Sequence, residues 1–201
     1  MAAIASPYGL RPVQTLGGLP FAGAIRSFSL AGNSAKGFFF GDPVGLSATG
    51  DPSVLVASPV PTVDANSPVG VFMGAEWQDP IRGFVNSQFF PANGISNGAT
   101  QVKFKILDYP WAVFRVQSAG SVPAGSVGKN VALTVGSLGT GNVATGDSLV
   151  SATAAPAVTA TFALKIVGYY NAPGSVAGDA FTDLLVIWNA GIHRWTAAAG
   201  L

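Results

Sequence analysis

Val102-Lys103-Phe104-Lys105-Ile106 alternates apolar and charged side chains over five residues. A period of two places Val102, Phe104 and Ile106 on one face and both lysines on the other, which reads as a β-strand with one buried and one wet face. Asp108-Tyr109-Pro110 breaks the strand and Trp111-Ala112-Val113-Phe114-Arg115-Val116 resumes it. Together the two runs predict a β-hairpin with an aromatic-rich corner.

Working outward, the same grammar repeats. Upstream, Val69, Val71, Met73, Ala75 and Trp77 fall on one face of a strand, with Gly70, Phe72, Gly74 and Glu76 on the other. Ala24 to Leu30 alternates with period two. Phe38-Phe39-Phe40 and Val44-Gly45-Leu46 flank Gly41-Asp42-Pro43, a strong turn signal. Downstream, Val131 to Val135, Thr161 to Val167 and Phe181 to Trp188 read as strands, with a turn at Asn171-Ala172-Pro173-Gly174. The all-apolar run Leu184 to Trp188 predicts burial on both faces, in the core or in an interface. Residues 136–160 are small and polar, with Val143, Leu149, Val150 and Val158 marking short strands within them. No segment longer than about ten residues carries a 3.6-residue period. The expected class is all-β: a compact sandwich or barrel of short antiparallel strands with an extended N-terminal arm.

Residues 1–20 are read as that arm and 21–201 as a single β-domain. The arm holds three Pro and three Gly and shows neither period; proline removes a backbone donor and pushes its predecessor toward extended conformations. Tyr8, Leu10, Val13 and Leu16 are apolar anchors that a free tail rarely needs.

Composition narrows the function. Only 9% of the 201 residues are charged, against roughly 25% in ordinary domains. There is one His, no Cys, and a single Glu, Glu76, beside eight Asp. By contrast 49% are hydrophobic, and Gly and Pro contribute 26 and 14 residues. Such a chain is rich in surface suited to burial against other chains and poor in the ingredients of active sites. The net charge of +1 and the scattered Lys and Arg give no field for nucleic acid, so no nucleic-acid partner is expected. Near-zero charge on an apolar surface promotes association. No apolar run reaches the ~18 residues of a membrane-spanning helix, and the N-terminus lacks the basic and apolar regions of a signal peptide, so no membrane partner is expected. Without cysteine, stability must come from packing or assembly.

The candidates for chemistry are few. His193 could join a Ser-His-Asp triad, but no G-x-S-x-G elbow accompanies it, and a hydrogen-bonded structural or interfacial role fits better. One His and no Cys exclude the usual zinc sites, and no D-x-D-x-D loop offers calcium ligands. Asp42, Asp51, Asp64 and Asp79 read as turn residues. Glu76, Asp79 and Asp108 are the only carboxylates near aromatics, without the pairing glycoside hydrolysis needs. Gly136 to Gly141 lacks the Lys-Ser/Thr of a P-loop. Trp77, Trp111, Trp188 and Trp195 serve as core or interface anchors, or as a stacking surface for sugars. No enzyme and no cofactor is expected.

Five strings, in order, carry a resemblance: Pro7-Tyr8-Gly9-Leu10-Arg11-Pro12, Gly41-Asp42-Pro43-Val44, Gly70-Val71-Phe72, Leu107 to Phe114, and Ile187 to His193. They resemble the head decoration, or cement, proteins of tailed double-stranded DNA bacteriophages of the cyanophage and marine-phage type. Residues 136–160 and the tail Arg194 to Leu201 depart from that pattern. The resemblance implies a β-rich, enzymatically silent virion protein on the outer surface of the phage head, assembled in the host cytoplasm. It implies a homotrimer, less often a dimer, that clamps neighbouring major capsid subunits and stabilises the DNA-filled head. On this reading Tyr8, Leu10, Arg11 and Val13 contact the capsid through the arm, and deleting residues 2–16 abolishes shell binding while leaving the β-domain folded. A tail or fibre β-component and a carbohydrate-binding module remain the alternatives.

Overall fold

The computed structural model of the chain describes residues 4–21, 23–47, 50–54, 67–134, 138–173 and 175–196. Among these the fold is all-β. Its strands are β1 (Arg11–Thr15), β2 (Ile25–Ser29), β3 (Phe38–Phe39), β4 (Pro43–Leu46), β5 (Pro52–Val54), β6 (Pro68–Asp79), β7 (Gly83–Ser87), β8 (Phe89–Phe90), β9 (Thr100–Leu107), β10 (Ala112–Gln117), β11 (Asn130–Val131), β12 (Gly141–Asn142), β13 (Asp147–Ser148), β14 (Leu164–Tyr169) and β15 (Asp183–Trp188). Two open sheets dominate. One runs β1-β10-β15-β14-β11; the other runs β2-β9-β6-β4-β5, with β7 also on β6. Both contribute to a single hydrophobic core, as in a compact sandwich.

β9 behaves as its alternation requires: Val102, Phe104 and Ile106 are buried and Lys103 is exposed. Its partner β6 is the long spine of its sheet. One edge of β6 pairs with β9, while β4 takes the first half of the other edge and β7 the second. The strict alternation read from Val69 to Trp77 breaks at Met73. Phe72 sits opposite Ile106 and Gly74 opposite Lys105, which leaves Met73 as the extra residue of a bulge. The bulge rephases the strand, so Phe72 is buried and Met73 is only half-buried. Phe72 joins Phe38, Phe90 and Phe104 in a cluster of tilted and edge-to-face rings with centroids 4.5–5.7 Å apart, each such pair contributing about 0.5–1.5 kcal/mol beyond its buried area.

The expected hairpin does not form. β9 lies between β2 and β6, and β10 lies between β1 and β15 in the other sheet. Asp108 to Trp111 is therefore a crossover between layers. The apolar faces of the two strands meet the core from opposite sheets, an arrangement with the same periodicity as a hairpin. Gly41-Asp42-Pro43 likewise joins strands of different sheets, since β3 pairs with β8 and β4 with β5 and β6.

β15 is the central strand of its sheet, with Leu184, Val186 and Trp188 fully buried, Ile187 buried and Leu185 half-buried. Within 136–160, β12 pairs with β13, and Val150 and Ala152 are buried, whereas Val143 and Val158 are exposed. Val135 and Gly136-Ser137 fall outside the described residues, as do Gly174 and the tail from residue 197.

The arm is extended, but it does not stand apart from the domain. β1 is an edge strand of the five-stranded sheet, paired with β10 from Arg11↔Arg115 to Thr15↔Ala112. The boundary expected at residue 20 is thus crossed by main-chain pairing, with Leu10 in the core and Tyr8 and Arg11 bonded to Asp183 and Asp147 of their own chain.

Candidate interaction surface

The four residues expected to touch a capsid have different fates. Leu10 is fully buried. Tyr8 donates its hydroxyl to Asp183 Oδ1 at 2.6 Å, and Asp183 Oδ2 accepts from Arg115 at 2.6 Å. The Arg115 guanidinium lies 5.2 Å from the centre of the Tyr8 ring and 4.1 Å from that of Tyr170. Burial and the Asp183 hydrogen bond raise the Tyr8 pKa, so its phenol stays protonated. Arg11 pairs with Asp147 and stacks over the Phe40 ring. Only Val13, 37% exposed, points substantially to solvent. Tyr8, Leu10 and Arg11 therefore anchor the segment to its own sandwich. Removing residues 2–16 would strip an edge strand and a core leucine, so this deletion should destabilise the sandwich as well as remove the segment.

The contact that seats the segment depends on two glycines. Gly9 and Gly41 both have positive φ, 75° and 94°, and a Cβ built on Gly9 would lie 2.8 Å from the Gly41 carbonyl oxygen and from Ser148 Cβ. Leu10 N–H donates to Gly41 O at 2.9 Å, and Gly9 N–H to Val150 O at 3.1 Å. The next links follow directly. Gly41 N–H donates to Phe72 O, and Phe72 N–H to Asp42 O. A Cβ on Gly70 would run into the Leu107 carbonyl. Leu16 N–H donates to Trp111 O, and Arg194 N–H to Pro68 O. With the Phe114 and Trp188 rings 6.1 Å apart, the five strings singled out in the sequence form one series of contacts, a seam through the domain.

Two titratable groups are buried along this seam. Asp42 accepts from Ser148 Oγ at 2.6 Å and from Phe39 N–H at 2.9 Å. Burial nonetheless pushes its carboxyl up to about 7. His193 is fully buried beside Trp188, ring centroids 6.0 Å apart, and burial pushes it down to about 4. It is neutral at neutral pH and out of reach of substrate. Among the described residues no group of three or more His, Asp or Glu is placed to hold a metal, and no helix is long and apolar enough to cross a membrane. Glu76 pairs with Lys105, Asp108 with Arg26, and Asp79 caps a turn, so these carboxylates serve structure. Among the described residues, ion pairs take up Arg11, Arg26, Arg82, Lys105 and Arg115.

The tryptophans divide. Trp77 and Trp188 are core residues, while Trp111 and Trp195 are partly exposed, the latter donating its indole N–H to Asp108 at 3.0 Å. Open clefts lie elsewhere. A polar one of about 420 Å³, near Asn33, Lys36 and Asp51, has no aromatic lining. An apolar groove of about 410 Å³ is lined, among the described residues, by Thr15, Leu19, Pro20, Phe21, Gly23, Ala24 and Tyr109. A third cleft, of about 180 Å³ beside the N-terminal segment, brings Phe181 together with Gln117, Ser118 and Ser151. Beside the groove, Leu16, Ile25 and Trp111 are exposed; at the β6–β7 turn, Ile81 and Phe84 are 93% and 68% exposed. Sequence reading found Leu16 but not the groove or Ile81, because neither has a periodic signature.

No family model, curated protein or solved structure matches the chain.

Proposed function

We propose that the chain is a structural virion protein, a decoration or cement protein on the outer surface of a tailed-phage head that clamps neighbouring major capsid subunits. The observation that carries this reading is the concentration of exposed apolar side chains around an uncharged groove on an otherwise well-packed β-sandwich. Groups that remain exposed while equally apolar ones pack the core favour burial against another chain. Scarce charge and the absence of a clustered reactive constellation among the described residues agree with a binding rather than a chemical role, and the resemblance of the five strings supplies the kind of assembly. Contact through apolar surface yields about 25 cal/mol per Å² before association costs, and many copies on one shell add avidity. The capsid-facing residues on this reading are Val13, Leu16 and the groove rim, in place of Tyr8, Leu10 and Arg11. In the assembled head the chain is a homotrimer.

The test is sedimentation of the full chain with phage heads stripped of decoration protein. Saturable co-sedimentation that varies little with salt is expected, reduced by Val13→Asp together with Leu16→Asp. A chain that stays in the supernatant at every concentration overturns the proposal.

A further inference from the structure

One ionisable side chain lies directly beneath the point where the N-terminal segment joins the sandwich. Asp42 is fully buried. Its Oδ1 accepts from Ser148 Oγ at 2.6 Å and its Oδ2 from Phe39 N–H at 2.9 Å. Ser148 Oγ in turn accepts from Val150 N–H at 3.0 Å. The carbonyls of Val150 and Gly41 receive the amides of Gly9 and Leu10. A Cβ on Gly9 would lie 2.8 Å from Ser148 Cβ, so the segment rests on the residue that holds the carboxyl. Lifting Gly9 and Leu10 off this seat uncovers Ser148 and Gly41 and lets water reach Asp42.

Among the described residues no ion pair reaches this carboxyl. Lys36 faces it from the loop before β3, but its Nζ donates to Leu138 O at 3.1 Å. Beside Ser148 on β13, Asp147 is paired with Arg11 of β1. From the N-terminal segment, Tyr8 turns its hydroxyl to Asp183. β4 and β6 bring Val44 and Phe72, which carry no charge. A carboxylate shut away from water without a cation is disfavoured against its acid form. Burial accordingly raises the Asp42 pKa from 3.8 to about 7.

We infer that Asp42 is the catch of a pH-operated latch: residues 4–10 lock onto the sandwich while its carboxyl holds a proton and lift as it ionises. The docked segment favours the acid form. The lifted segment, which leaves the carboxyl in water, favours the carboxylate. Docking is therefore strongest below 3.8, weakens as pH rises, and reaches a constant lower level above about 7. The other anchors of the segment do not follow that course. Gln117 accepts from Ser6 N–H at 2.8 Å and donates to Ile4 O at 3.2 Å, and neither bond involves a titrating group. The Tyr8 phenol stays protonated. Against the burial that would raise it, the Arg11 hydrogen bond holds Asp147 below the usual carboxylate range, so that pair persists above pH 4.5. β1 keeps its ladder with β10, which confines the lift to residues before Arg11. Lifting brings Tyr8 and Leu10 into solvent. The latch is independent of the head attachment proposed above.

The test is native-state amide hydrogen exchange on the full chain, followed by NMR from pH 4.5 to 8 and corrected for intrinsic exchange rates. Protection of the Gly9 and Leu10 amides should fall by as much as about tenfold per pH unit up to pH 7 and level off above it. At every pH it should stay below that of the amides in the central strand β9. Asp42→Asn keeps an oxygen for Phe39 N–H but cannot ionise, and should make that protection constant with pH. Ser148→Ala is the second variant and decides the matter alone if Asp42→Asn does not fold. Without the hydroxyl the acid form is favoured further, so the fall should continue past pH 7. Circular dichroism and melting verify the fold of both. Wild-type protection that does not change with pH overturns the inference, as does a fall that persists unchanged in Asp42→Asn, or a Ser148→Ala profile that superimposes on wild type. Gly9 and Leu10 exchanging no faster than β9 overturns it too, since the segment would then open only with the whole fold.

Discussion

The seam around Gly9, Gly41 and Asp42 and the surface at the β6–β7 turn and the groove use the same residue types and treat them in opposite ways. In the seam, Leu10 is fully buried and even the charged atoms of Asp42 are withdrawn from water. At the turn and the groove, Ile81 and Leu19 stand in solvent, the first on a turn that its own hydrogen bonds hold outward. The difference separates the apolar residues that make the fold from those it leaves in solvent. In a chain this rich in apolar residues, composition cannot draw that line; burial does.

The sharpest way to break the contrast is to remove a seam anchor. Leu10→Ala should destabilise by about 2–5 kcal/mol, as truncation of a buried leucine does, with Gly9→Ala also costly because it combines positive φ with a 2.8 Å collision. Urea unfolding measures both; a change under half a kcal/mol for Leu10→Ala would mean that the segment is not docked.

A middle-sized effect lies in the two buried titrations. Asp42 has a folded pKa raised from 3.8 to about 7. Its protonated form is favoured by the fold, so its contribution is complete below 3.8 and lost as pH rises through about 7. For His193, lowered from 6.5 to about 4, the neutral form is favoured. Its contribution is complete above 6.5 and lost as pH falls through about 4. The two slopes oppose each other over the same window. Relative to wild type, Asp42→Asn should make stability rise more steeply between pH 4 and 6.5, and His193→Gln should make it fall more steeply. Parallel curves for wild type and both variants would show that these groups do not titrate as their burial dictates.

The smallest effect on stability sharpens the comparison from the other side. Val13→Asp sits on the same strand as Arg11 but faces solvent, and should change stability by no more than about 0.5 kcal/mol, while weakening attachment to heads in the co-sedimentation assay. A large loss of stability would place Val13 with the seam.

How far these regions were legible follows from the kind of information each needs. β9 was readable because Val102, Lys103, Phe104, Lys105 and Ile106 repeat with the strand period and nothing interrupts them. The bulge at Met73 was not, since a two-residue period cannot announce where a ladder inserts an extra residue to bring Phe72 into the ring cluster. Tyr8, Leu10 and Arg11 were recognisable as anchors from residue type, but their partners, Asp183, Gly41 and Asp147, lie 175, 31 and 136 positions away. The groove joins residues 15–24 to Tyr109 and has no local signature at all.

The sequence by itself determined the all-β class, the strand positions in the centre and toward the end of the chain, and the shortage of charge that makes association more plausible than chemistry. These depend on local periodicity and composition, which act over a few residues. Tertiary structure alone decided that β9 and β10 belong to opposite sheets, that the N-terminal segment spends Leu10 on its own core, and that apolar side chains stay exposed at the groove and the β6–β7 turn. Those outcomes depend on which distant surfaces bury one another, and burial is a property of the whole packed chain.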